Sequence, residues 1–131
     1  MKKEEFMAMS LPYDIKFMVE SVIITQTMCT SFGSNLFPFE DIKPILHPLS
    51  DLANEIEHNR DRFTPCDWII NKYPTLYLPL QVQRLIEDIN WLDQCDFMFI
   101  KHLLEWHFDI AGLIEKGEAI DVNTLQTNPY K

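Results

Sequence analysis

Phe99-Ile100-Lys101-His102-Leu103-Leu104-Glu105-Trp106-His107-Phe108-Asp109-Ile110-Ala111-Gly112-Leu113-Ile114-Glu115-Lys116-Gly117 is the most strongly patterned stretch of the chain. At about 100° of turn per residue, Phe99, Leu103, Leu104, Trp106, Ile110 and Ile114 fall on one side, and Lys101, Glu105, Asp109, Gly112 and Lys116 form a polar stripe opposite, with His102 at its edge. The apolar arc is wider than one stripe, so the spacing predicts a helix over Phe99–Lys116 covered on more than one side. Gly117 stands where a left-handed residue ends a helix without a Cβ penalty. This helix is expected at the centre of the fold.

The chain has 131 residues, 47% hydrophobic and 24% charged, which is enough apolar material for one ordinary core. Residues 1–131 are read as one domain: 1–64 mainly strands, loops and short turns, 65–117 mainly helical, and 118–131 an extended tail. Ile15, Phe17 and Val19 alternate with Lys16, Met18 and Glu20, and β-branched Val22-Ile23-Ile24-Thr25 follows, so strand is expected over Asp14–Met28, although helical spacing also fits. Ser31-Phe32-Gly33-Ser34-Asn35 reads as a loop. Pro44 and Pro48 forbid a long helix, leaving an irregular buried segment or short helical turns around Leu46, Leu49 and Leu52. Glu55 to Thr64 fits a hairpin turning at Asn59-Arg60-Asp61, with Ile56 and Phe63 inward. Arg60, however, is not the glycine that tight turns prefer.

Thr64-Pro65-Cys66-Asp67 carries helix-start chemistry: a capping threonine, proline at the first helical position and an acid in the first turn. That helix should run to Pro74. Another should begin near Pro79 with Val82, Leu85, Ile86, Ile89 and Leu92 inward, and Asp93 or Asp96 should cap the central helix. The fold class expected is α+β, N-terminal strands packed on C-terminal helices. In the tail, Ile120, Val122, Leu125 and Tyr130 offer enough apolar area to dock at least Ile120 and Val122 in extended form.

Ile42 to Leu52, Leu103 to Leu125 and Met9-Ser10-Leu11-Pro12-Tyr13 together resemble a group of small proteins of no known activity encoded by phages and integrated mobile elements of gut bacteria. The resemblance covers under half of the chain and leaves Arg60 to Cys95 unmatched. It implies a genomic setting and no mechanism, so it carries over no site residue.

The net charge is −9. Between Glu87 and Asp121 nine acids face only Lys101 and Lys116, and no basic stripe exists elsewhere, so direct nucleic-acid binding is not expected. No run approaches the roughly 20 apolar residues of a membrane span, and the first residues lack a secretory pattern. Cys29, Cys66 and Cys95 are odd in number and far apart, which suggests reduced thiols and a cytoplasmic home.

Chemical constellations are sparse. No CxxC, HxxxH or HExxH spacing occurs, and His102 and His107 are set about 140° apart on a helix, so no metal or other cofactor is expected. Glu55-Ile56-Glu57-His58 is a single Glu-x-x-His where a di-iron bundle needs two. Cys66, Trp91, Trp106 and His107 are read most simply as core residues. The leading function is a non-catalytic accessory or protein-interaction module with an unidentified protein partner. Its acidic half (Glu105, Asp109, Glu115, Glu118 and Asp121) is the candidate surface for a basic one. The alternative is a small hydrolase-type or metal-dependent enzyme using His47, His58 or His107.

Overall fold

The β-branched, alternating stretch near the start of the chain does form strands. In the computed structural model, which describes residues 2–10, 13, 15–19, 22–25, 42–73 and 78–131, β1 (Lys16–Val19) and β2 (Val22–Thr25) pair antiparallel, with Phe17 opposite Ile24. A short helix, α1 (Lys3–Met9), precedes them and buries Phe6 and Met7. The expected loop at Ser31–Asn35 lies outside the described residues.

The proline-flanked segment departs from its irregular reading. Lys43–Leu46 is a strand, β3, antiparallel to β1 with Phe17 opposite Pro44. The helical turn foreseen around Leu49 and Leu52 follows at once as a 3₁₀ turn, Leu49–Ala53. Proline fixes an extended-compatible φ and forfeits only its own donor, so a short strand tolerates Pro44. The hairpin is present as β4 (Ile56–His58) and β5 (Asp61–Phe63), with Ile56 opposite Phe63. Asn59 (φ 49°) and Arg60 (φ 71°) both adopt left-handed backbone, the geometry whose twist suits a two-residue hairpin loop.

Helix α2 (Pro65–Lys72) starts as its sequence predicts, with proline in its first turn, although the Thr64 hydroxyl makes no capping bond. Helix α3 (Leu78–Glu87) follows, and Ile89 and Leu92 fall in a 3₁₀ turn, Ile89–Gln94, rather than on its face. Asp96 caps α4 (Phe97–Glu105), its Oδ1 accepting from Met98 N at 2.9 Å.

The long central helix is the main correction. α4 ends at Glu105, eleven residues before Lys116. His107 takes φ 62°, Phe108 N donates to Leu103 O (2.9 Å), and His107 N donates to Leu104 O (3.1 Å). This pair of bonds closes the helix end as glycine usually does, but with a histidine in the left-handed position. The chain then runs beside β3: His47 N donates to His107 O (2.8 Å) and Asp109 N to His47 O (2.9 Å). Gly117 is left-handed as expected (φ 74°), yet it ends a run of turns, where Glu118 N donates to Leu113 O.

The main sheet has the order β2-β1-β3-β6, where β6 (Ile120–Asp121) lies parallel to β3. Pleating splits its side chains. Phe17, Val19 and Leu46 join the large core with Leu52, Ile69, Leu85, Phe99 and Leu103. Ile45 and Met18 point to the other face, covered by Val122, Leu125 and Tyr130. The fold is α+β, with helices on one face of the sheet and the segment after Gly117 on the other.

Candidate functional site

That closing segment brings together the three histidines of the enzyme reading. Tyr130 is buried, and its hydroxyl donates to Ile45 O (2.7 Å), lies 3.2 Å from Lys16 O and accepts from Lys16 N (2.9 Å). Its ring stacks on His107 with centroids 4.0 Å apart, and lies 6.3 Å from His58 and 6.4 Å from His47. His58 and His107 are 5.4 Å apart. Each arrives from a different element: His47 at the end of β3, His58 at the end of β4, and His107 at the helix stop. His47 Nε2, His58 Nδ1 and His107 Nδ1 are all buried without a hydrogen-bond partner. Burial pushes His107 well below its ordinary pKa, and repulsion from His58, His47 and Lys16 pushes the same way. Burial and His47 also lower His58, against the opposing pull of Glu105 and Asp61.

His47 is tied from its other nitrogen. Nδ1 lies 3.4 Å from Asp51 Oδ2, which also accepts from Asn123 Nδ2 at 2.8 Å. Burial alone would raise the Asp51 carboxyl, but hydrogen bonds from His47, Asn123 and Asn54 outweigh it and hold the pKa below its ordinary value. A cleft of about 530 Å³ opens here, walled by His47, Asp51, Glu57, Asn123 and Asn128. The ring nitrogen left over after the Asp51 contact, Nε2, has no solvent access, so it offers no proton acceptor to a molecule in the cleft. The His47–Asp51–Asn123 linkage ties the 3₁₀ turn after β3 to the turn after β6.

Among the described residues, no group of three His, Cys, Asp or Glu side chains is placed to hold a metal ion. In the Glu-x-x-His stretch, Glu55 precedes strand β4 and pairs with Arg62 at 3.5 Å, while Glu57 on the strand pairs with the same guanidinium at 2.6 Å. Cys66 and Cys95 are unbridged and half-buried, and burial pushes both thiols up, away from the reactive thiolate. No helix among the described residues is long and apolar enough to cross a membrane.

The five acids of the sequence-based surface do not share one helix face. Asp109 is buried, and its carboxylate accepts from Leu113 N and Ile114 N, both at 2.9 Å, organising the turns that replace the expected helix. Asp121 accepts from Asn123 N (2.8 Å). Glu105 lies 3.4 Å from His102 Nδ1. Glu118 is half-buried, while Glu115 is exposed and shares a depression of about 380 Å³ with Glu87 and Asp88. Leu49, Ile86, Ile89 and Ile114 contribute apolar lining to it.

Exposed apolar residues stand on α3 and the turn after it, which wall this depression, and at the start of α4, which does not. Leu80 on α3 is 51% exposed, Trp91 on the following turn 38%, and Phe97 at the start of α4 75%. Arg84 lies over the Trp91 ring at 4.6 Å. Trp91 is therefore a surface residue, contrary to its reading as core, whereas Trp106 is buried as read. The sequence marked Tyr130 only as apolar area for docking the tail, and gave no signal that it would meet the three histidines. Asp51 lies four residues after His47, but Pro48 hides the pairing from a periodicity argument. No protein-family model matches the chain, nor does any curated protein or solved structure.

Proposed function

We propose that this chain is a non-catalytic protein-interaction module, of the accessory kind carried by phages and mobile elements, that receives a basic, amphipathic segment of a partner protein along α3 and the turn after it. The observation that carries the reading is the depression with Leu49, Ile86, Ile89 and Ile114 in its walls and Glu87, Asp88 and Glu115 among its lining residues. Exposed Leu80 and Trp91 stand on the same two elements. Apolar anchors supply binding energy when desolvated, and a rim of one sign selects the opposite charge and speeds encounter. Exposed aromatics otherwise cost solubility, so their grouping on one stretch favours a contact surface. The net charge of −9 points the same way.

The enzyme alternative has less support. His47, His58 and His107 are neighbours, but one unpartnered nitrogen of each, His47 Nε2, His58 Nδ1 and His107 Nδ1, is shut away from solvent.

Trp91 fluorescence titrated with a synthetic Leu/Lys amphipathic helix and with its Leu/Glu counterpart tests the proposal. The Leu/Lys peptide should bind, and Glu87→Lys with Glu115→Lys should weaken it at least about tenfold by reversing rim charge. Equal binding of both peptides, or insensitivity to the two substitutions, would refute it.

A further inference from the structure

The histidine nest has no part in that surface, and its construction suggests a second property. Tyr130 holds the closing segment to the body at three points: its hydroxyl reaches Ile45 and Lys16, its carbonyl accepts from Asn59 N (2.8 Å), and its ring rests on His107. Asn128 Nδ2 adds a bond to Glu57 O (3.0 Å). Val122 and Leu125 pack with Ile45 and Met18, Asn123 reaches Asp51, and the Tyr130 ring alone carries the segment's contact with the nest.

We propose that the His47–His58–His107 nest is an acid-sensitive latch that holds residues 122–131 against the sheet and releases them when His58 and His107 take up protons, before the main core unfolds. The geometry makes a first proton costly and a second worse. His107 is 2% exposed, its Nδ1 has no acceptor, and the charged or titratable groups facing it, namely His58, His47 and Lys16, are cations or cations in waiting. His58 feels Glu105 from α4 and its cross-strand partner Asp61 through space, but these pulls do not outweigh burial. The Asp51 carboxylate is committed to His47, Asn54 and Asn123. Tyr130 is a neutral phenol, with its ionisation pushed up by burial, so it offers no negative charge either. Protonated rings therefore gain most by reaching water, and the ring in the way is Tyr130.

The sign follows from linkage. Both His58 and His107 bind protons less readily folded than unfolded, so the docked state is fully favoured above their ordinary value of 6.5 and loses ground as pH falls below it. Only the docked segment hides His107 behind Tyr130, whereas Leu103, Ile69 and Leu85 lie in the main core away from it.

Two-dimensional NMR of the full chain, titrated from about pH 7.5 to about pH 4, reads this directly. The Tyr130 ring and the amides of 122–131 should move to unfolded positions with a midpoint below 6.5. Leu103 and Ile69 should keep native positions at that pH. His107→Asn, a residue that tolerates left-handed backbone, should lower the release midpoint by about half a pH unit or more, and His58→Gln should do the same. His102→Gln should leave it unchanged. Loss of core and segment signals together in wild type would overturn the latch. So would a segment that stays docked throughout, or a release midpoint indifferent to both nest substitutions.

Discussion

His102 and His107 are five residues apart on either side of one helix end, and the fold treats them in opposite ways. His102 stays on α4, its Nε2 3.1 Å from the Tyr73 hydroxyl, its ring stacked on Trp106 (5.2 Å) and edge-on to Trp68 (4.9 Å). Burial lowers its pKa, but Glu105 at 3.4 Å pulls the other way. His107 sits past the stop, in left-handed backbone, against Tyr130 and His58, and the charges that act on it, His58, His47 and Lys16, all oppose a proton. Burial disfavours the charged form of both imidazoles, but a carboxylate beside His102 offsets part of that cost, whereas the charges felt by His107 all oppose its protonation. Residue type alone does not separate a structural histidine from a sensitive one. What separates them is which counter-charges the fold brings within reach.

Leu103 lies between the two, fully buried, with its carbonyl closing the helix end. Leu103→Ala should destabilise by about 2–5 kcal/mol through lost burial and a residual cavity. A thermal melt within a degree of wild type would break the picture of a shared core. Next in size, Tyr130→Phe removes a hydroxyl serving buried backbone groups of β1 and β3, and should cost about 1–3 kcal/mol. Tyr73→Phe, which takes a partner from half-exposed surroundings on the His102 side, should cost only about 0.5–1.5 kcal/mol. Equal losses in urea unfolding would erase the distinction between the two sides.

Acid sharpens the same contrast. Stability measured by urea midpoint should fall as pH drops below 6.5, because the unfolded chain binds protons that the folded one refuses. His107→Asn should flatten that slope more than His102→Gln, and the reverse order would contradict the comparison. A separate loss should appear below 3.8, where Asp51 takes its proton and the ties to His47 and Asn123 weaken. The smallest effect concerns backbone. Arg60 is exposed at φ 71°, so Arg60→Gly should stabilise by about 0.5–1 kcal/mol by removing left-handed strain, visible as a slightly raised melting temperature. His107→Gly relieves similar strain but loses the Tyr130 stack, and should not stabilise.

Much of this molecule is legible in local chemistry. Val22 to Thr25 are β-branched and form a strand, Pro65 opens α2, Asp96 caps α4, and the 55–64 hairpin turns where its polar residues fall. Each rests on neighbours within a few positions, where intrinsic preference and hydrogen-bond reach decide. The acidic bias of 87–121 and the docking of Ile120 and Val122 were readable for the same reason, although only Ile120 docks in extended form and Val122 opens a 3₁₀ turn, Val122–Thr124.

The helix end at Glu105 was not readable. Nothing in Trp106-His107-Phe108 breaks an amphipathic pattern, and the left-handed turn at His107 holds because Phe108 then pairs beside His47 while Asp109 turns inward to bond Leu113 and Ile114. The pairing beside His47 comes from a segment some sixty positions away. The sequence by itself determined the fold class, the local starts of the helices and the charge. The tertiary structure decided where α4 stops, that Asp109 is buried and Trp91 exposed, and that His47, His58, His107 and Tyr130 meet, because each depends on contacts between distant segments that no periodicity encodes.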